Sequence, residues 1–204
     1  MASRGPPGES GSTAVQPAPA PSRQTALVAA DTEDRAGELV VYTDGACRGN
    51  PGPGGWAWAV PGGAYASGAE PHTTNQRMEI TAVVRALEAV PGPVLVRSDS
   101  TYVVNCFRDR WYVGWQRRNW RNAANRPVAN RDLWEPLLDL VLHSERPVRL
   151  QWVKGHGADP MNHWVDQLAT EAADRQVGMS GGTEAPGAAR ASRPAPGSAQ
   201  DGVC

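Results

Sequence analysis

The chain has 204 residues, 20 Lys and Arg against 21 Asp and Glu, a net charge of −1 and 40% hydrophobic residues. That length holds one domain with tails or two very small domains, and the balanced charge excludes a uniformly polyionic chain. The 3 cysteines, Cys47, Cys106 and Cys204, lack ligand spacing, so a disulfide framework and a cysteine zinc site are excluded, and no apolar run is long enough for a membrane span.

Residues 1–37 and 177–204 are rich in Pro, Gly, Ala and Ser and poor in large apolar side chains. Neither stretch can bury enough surface to offset its ordering entropy, so both are expected to be disordered tails. Residues 38–176 remain, enough for one core and one domain. The apolar run at 25–30 is too short and starts too far in for a signal-peptide core, so a cytoplasmic, reducing setting is expected.

Residues 38–43 read as a first strand. It ends on Asp44 and breaks into a turn rich in glycine and proline, residues 46–55. A carboxylate at the carboxyl end of a central strand stands where α/β sheets place ligands. Asp44 can equally cap a tight turn, and both readings are open at this point. The glycines allow the backbone to approach a bulky partner. Residues 55–60 and 64–68 complete an antiparallel meander around a turn at 61–63.

A helix follows, with Ile80, Val83, Val84, Leu87 and Val90 in helical period, Thr74 or Asn75 as N-cap, and a stop at Pro91-Gly92-Pro93. Glu79 falls in its first turn, where the helix dipole alone would suit a carboxylate. Residues 94–96 form another buried strand, which also ends on an aspartate, Asp99. A short helix carries Tyr102, Val103 and Cys106. Residues 111–121 interleave Trp with Arg. Between Arg108 and Arg131 there are seven Arg and one Asp, a local +6 that marks a polyanion site.

An amphipathic helix is expected over 128–143, a strand over 148–153, and a loop at Gly155-His156-Gly157. Pro160 opens the last helix, with Asp166 near its start. The order is three strands, helix, strand, helices, strand, helix, which predicts an α/β fold with a five-stranded mixed sheet flanked by helices.

Four carboxylates thus stand at comparable places: Asp44 and Asp99 at strand ends, Glu79 and Asp166 near helix starts. Brought together, they raise one another's pKa unless a cation intervenes. Oxygen-only ligands favour Mg²⁺ or Mn²⁺ over zinc, and two such ions about 4 Å apart can clamp a phosphodiester.

Several stretches together carry a resemblance to a known family. They are Tyr42-Thr43-Asp44-Gly45, Gly49-Asn50-Pro51-Gly52-Pro53-Gly54-Gly55, Thr73-Thr74-Asn75-Gln76-Arg77-Met78-Glu79 and Ser98-Asp99-Ser100-Thr101-Tyr102-Val103. Further on come Pro127-Val128-Ala129-Asn130-Arg131-Asp132-Leu133-Trp134 and Trp152-Val153-Lys154-Gly155-His156. In this order and spacing the chain resembles the bacterial type I ribonuclease H over residues 38–175.

The resemblance implies the ribonuclease H-like fold with a basic protrusion, and an endonuclease that cuts the RNA strand of RNA–DNA hybrids to leave 5′-phosphate and 3′-hydroxyl ends. Asp44, Glu79, Asp99 and Asp166 would bind two Mg²⁺, with Mn²⁺ as a substitute, and His156 would help in proton transfer or product release.

The resemblance also distributes substrate contacts. Cys47, Asn50, Asn75 and Gln76 would face the RNA minor groove, where an amide can both donate to and accept from a 2′-hydroxyl. Thr74 and Asn130 would hold a DNA phosphate, and Trp111 and Trp115 would pack on deoxyribose. Residues 117–126 would form the protrusion and add sequence-independent phosphate contacts. Trp120 and Trp134 are read as core, and His143 and His163 as surface residues.

His72 departs from the Arg common near the DNA phosphate, and Met161 and His163 from acidic residues common beside Asp166. A monomer is expected. A catalytically silent hybrid-binding module is the alternative, although such a module would be expected to have lost a carboxylate.

Overall fold

The computed structural model describes residue 28, residues 34–155 and residues 159–182. Strand β1 (Leu39–Cys47), β2 (Gly52–Ala59) and β3 (Tyr65–Thr73) form the expected antiparallel meander. Helix α1 (Asn75–Ala89) leads to β4 (Val94–Ser98), then α2 (Thr101–Arg108), α3 (Trp111–Arg117) and α4 (Arg131–Leu138). A π-helical turn over Asp139–His143, β5 (Val148–Trp152), α5 (Pro160–Arg175) and the short β6 (Ser180–Gly181) complete the order.

The sheet runs β5-β4-β1-β2-β3-β6. β1, β4 and β5 are parallel, and the remaining pairs are antiparallel, so the sheet is mixed as expected. Alternation along β1 sends Val41 into the core shared with α1, while Tyr42 packs with Val165 of α5. α1 and α5 therefore cover opposite faces of β1. The larger core is capped by a ring cluster around Trp134, which is fully buried as read from the sequence.

Several expectations need correction. β1 does not end on Asp44 but runs on to Cys47, and the supposed glycine turn is mostly paired strand, with Ala46 opposite Gly55 and Cys47 opposite Gly54. Parallel pairing of β1 with β4 stops at Thr43 opposite Ser98, while antiparallel pairing with β2 continues. Asp44 thus stands where the sheet splits rather than at a strand terminus.

The helix expected over 128–143 starts only at Arg131. The Val128 amide donates to the Trp120 carbonyl and Asn130 is left-handed at φ 60°, so the chain cannot enter a helix sooner. Glu79 and Asp166 lie in second turns, because α1 begins at Asn75 behind its Thr74 cap and α5 at Pro160 behind its Asp159 cap.

Among the described residues the sheet has six strands rather than five. β6 lies within the expected C-terminal tail and pairs Tyr65 with Gly181 and Ala66 with Ser180. In the expected N-terminal tail, Val28 makes a parallel bridge to Leu150 of β5. Cys204 lies outside the described residues, while Cys47 and Cys106 are free thiols. Among the described residues no helix is long and apolar enough to cross a membrane.

Candidate active site

Four separate elements bring Asp44, Glu79, Asp99 and Asp166 to one cleft of about 390 Å³. Asp44 comes from β1 and Asp99 from the residue after β4, adjacent strands in the sheet. Glu79 comes from α1 and Asp166 from α5. Gly45 makes the approach of α1 possible: a Cβ there would overlap the backbone of Met78 and Glu79. Gly155 plays a similar part beside Asp99, since a Cβ there would lie 2.6 Å from Asp99 Oδ2.

The electrostatics follow from this crowding. Asp44 is pushed up to about 8, first by burial and then by the charges of Asp99, Asp166 and Glu79, against one opposing bond from the Gly45 amide. That amide donates to Asp44 Oδ1 at 2.8 Å. Glu79 is also raised, chiefly by burial and further by Asp99, although Ser100 and Asn75 hold it down. The Ser100 hydroxyl donates to Glu79 Oε2 at 2.6 Å and the Asn75 amide to Glu79 Oε1 at 2.9 Å. The Asn162 amide donates to Asp99 Oδ2 at 3.3 Å.

Each of these three carboxylates therefore turns one or more oxygens to a neutral donor. Among the described residues, no three His, Cys, Asp or Glu side chains are already gathered closely enough to hold an ion. The donor set nevertheless suits a hard divalent cation, because it is all carboxylate oxygen and two of its members, Asp44 and Glu79, are raised by burial and by neighbouring negative charge that a cation would offset. The fit lies in the chemistry of the donors and not in a preformed cage.

The predicted substrate residues divide. Cys47 and Asn75 line the cleft with the carboxylates. The Cys47 thiol lies 3.5 Å from both the Gly52 and Thr73 carbonyls. Asn50 is exposed, and its side-chain oxygen accepts from the Asn75 backbone amide at 3.3 Å. Gln76 is exposed. Thr74 caps α1 by accepting from the Arg77 amide, and the Arg77 guanidinium reaches Asn130 Oδ1 at 3.4 Å and grips Asp132 at 2.9 and 2.7 Å. Arg77 thus joins Thr74 to Asn130.

Trp111 is half-buried and Trp115 is 8% exposed. Its ring is enclosed by Trp111, Trp120 and Trp134, with centroids at 6.3, 6.3 and 5.4 Å. Trp120, read as core, is half-buried, with the Arg131 guanidinium 5.2 Å over its ring. Arg117, Arg118, Arg121 and Arg126 are all exposed on the expected protrusion. His156 lies outside the described residues.

Sequence reasoning missed Ser100, Asn162 and the cleft position of His163, which lines the cleft while remaining exposed. Helical spacing could have found two of them: Asn162 and His163 precede Asp166 by four and three positions, one face of α5. Ser100 directly follows Asp99 and caps α2.

The family model for RNase H matches residues 36–174. A "Ribonuclease H" of Syntrophomonas wolfei is 46% identical over 141 residues, 66% of this chain and 95% of that one. Another, of Granulibacter bethesdensis, is 50% identical over 140 residues, 65% of this chain and 89% of the relative. Among solved structures, LC9-RNase H1, a type 1 RNase H with the type 2 active-site motif, aligns with a TM-score of 0.61 at 28% identity, covering 74% of this chain and 80% of that one.

Proposed function

The chain belongs to the ribonuclease H family, and from that premise we propose that it is an endonuclease that hydrolyses the RNA strand of RNA–DNA hybrids, leaving 5′-phosphate and 3′-hydroxyl ends. The observation that carries the reading is the convergence of Asp44, Glu79, Asp99 and Asp166 on one cleft. Burial and the charges of Asp99, Asp166 and Glu79 hold Asp44 up to about 8, and a cation bound among these carboxylates would offset that repulsion.

Two divalent ions, Mg²⁺ or Mn²⁺, would supply charge neutralisation and polarisation of the scissile phosphodiester when bound. Asp44, Glu79, Asp99 and Asp166 are the residues that would hold them. Asn162 and Ser100 keep Asp99 and Glu79 oriented through the bonds at 3.3 and 2.6 Å. His156 follows the family pattern as a helper in proton transfer.

Asn75 binds Glu79 with its side chain and Asn50 with its backbone, so it links the acidic cleft to the surface proposed to meet the RNA minor groove. Gln76, Asn50 and Cys47 would complete that surface. Thr74 and Asn130, joined by Arg77, would take a DNA phosphate, and Trp111, the more exposed of the two tryptophans, would pack on a deoxyribose with Trp115 beside it. The exposed arginines at 117–126 would add phosphate contacts that carry no sequence information.

The test is cleavage of a labelled hybrid with Mg²⁺, beside matched double-stranded RNA, double-stranded DNA and single-stranded RNA. Cutting of only the RNA strand of the hybrid supports the reading. Hybrid binding without cutting in either Mg²⁺ or Mn²⁺ would identify a silent binding module instead. Equal cutting of double-stranded DNA would overturn the role given to the 2′-hydroxyl.

A further inference from the structure

Away from the cleft, three polar side chains stand abreast on the α5 face of the sheet. Tyr42 of β1 pairs in register with Arg97 of β4, which pairs with Gln151 of β5. The Arg97 guanidinium donates to Gln151 Oε1 at 2.8 Å, to the Tyr42 hydroxyl at 3.1 Å and to Asp34 Oδ1 at 2.7 Å. The Tyr42 hydroxyl, accepting from Arg97, donates in turn to Asp159 Oδ2 at 2.9 Å.

Asp159 divides its carboxylate. One oxygen accepts from Tyr42, and the other caps α5 by accepting from the amides of Met161 at 2.9 Å and Asn162 at 3.4 Å. The helix so capped carries Asn162, which donates to Asp99, and Asp166. Asn162 is 3% exposed, and its side-chain oxygen is buried with no hydrogen-bond partner among the described residues. Its orientation therefore rests on the bond to Asp99 and on the register of the α5 first turn.

A continuous line of hydrogen bonds thus runs from Asp34 through Arg97, Tyr42 and Asp159 to Asn162 and Asp99. Tyr42, Arg97 and Asp159 do not line the cleft themselves. Tyr42 is 5% exposed, so water competes little for its hydroxyl.

We propose that Tyr42 and Arg97 are positioning residues that, through Asp159, fix the first turn of α5 and so set Asn162 and Asp166 against Asp44 and Asp99. The proposal rests on the functional reading above. Asp34 makes the segment preceding β1 the outer anchor of the same line, so its loss is expected to act in the same direction and more weakly.

The test uses the full chain with Tyr42→Phe, which keeps the ring and removes the hydroxyl, and Asp159→Asn, which keeps a capping oxygen and removes the acceptor that faces Tyr42. Each is expected to lower kcat on the hybrid about five- to tenfold, with KM within about twofold. Each should also raise, by several-fold, the Mg²⁺ concentration that half-maximally raises Tm. The double variant should be no worse than the worse single, since both break one line.

Val141→Ala, a core truncation far from the cleft, is the control: it should lower Tm without moving kcat or the Mg²⁺ midpoint. Wild-type values for Tyr42→Phe on both readouts, or effects that multiply in the double variant, would overturn the relay alone. A wild type that cuts no hybrid but whose Mg²⁺ midpoint shifts in Tyr42→Phe would overturn the nuclease reading and keep the relay. A wild type that neither cuts hybrid nor is stabilised by Mg²⁺ would overturn both.

Discussion

Gly45 of β1 lies against the backbone of α1 at Glu79 so closely that any Cβ would overlap the Glu79 amide nitrogen. One carboxylate is brought to another because a third residue has no side chain. Gly45→Ala forces α1 outward and should cost about 1–3 kcal/mol in stability, as overpacking does. Because Glu79 moves with α1, hybrid cleavage should fall about 10²-fold. Thermal melts and kcat on a labelled hybrid check both; an alanine variant with full activity would mean the cleft does not depend on this approach.

Asp44 contributes a pH dependence to the stability of the metal-free protein. Unfolded, its carboxyl titrates near its ordinary value of 3.8; folded, burial and three like charges hold it up to about 8. Between these values the folded form keeps a proton that the unfolded form has released, so stability falls as pH rises through that window. Asp44→Asn removes the group and should stabilise the metal-free protein at pH ~8 by about 1–3 kcal/mol. Melts in a chelator at pH ~5 and ~8 check the sign: the wild type should lose Tm with rising pH and the variant lose less.

Asp99 faces Asp44 from the neighbouring strand and accepts from Asn162 at 3.3 Å. Asp99→Asn keeps the shape and removes the charge, so hybrid cleavage should fall about 10³-fold or more while hybrid binding persists. Single-turnover cleavage beside a binding titration separates the two; loss of binding together with activity would point to a folding defect instead.

The exposed arginines do not all have the same work. Arg118 donates to the Arg121 carbonyl at 3.1 Å and Arg121 to the Asn125 carbonyl at 2.8 Å, so these two hold the protrusion together. Arg117 and Arg126 are exposed on the same segment. Their replacement by Ala should make the dependence of log binding constant on log salt shallower by about 0.7–0.9 for each phosphate no longer neutralised. kcat should stay within about twofold. A slope that stays steep would remove these residues from the interface.

Much of this was legible in the sequence because the signals were periodic or punctuated. The apolar spacing of Ile80, Val83, Val84 and Leu87 gave α1, and the apolar runs ending near Asp44 and Asp99 gave two strands, whose adjacency only the sheet reveals. What stayed hidden depended on partners distant in the chain. Glycines that look like a turn pair as strand, because Gly54 and Gly55 find Cys47 and Ala46 across a hairpin. That Trp115 is enclosed by Trp134 and Trp120 shows only once those rings are brought to it. Asn162 is an ordinary helix residue until Asp99 stands opposite. The two residues at Ser180–Gly181 have no strand signal of their own and pair only because β3 offers an edge.

That last pairing gives the molecule a physical boundary that composition conceals. The Ser67 amide donates to the Met179 carbonyl at 2.7 Å and the Met179 amide to the Ser67 hydroxyl at 3.1 Å, so the outer rim of β3 is already occupied. Trimming the chain at residue 176, where α5 has ended, would strip this cover and leave Tyr65, Ala66 and Ser67 as a bare template for another chain to stack on. Trimming after residue 182 would not. The shorter product should self-associate with rising concentration, and the longer one should stay dispersed.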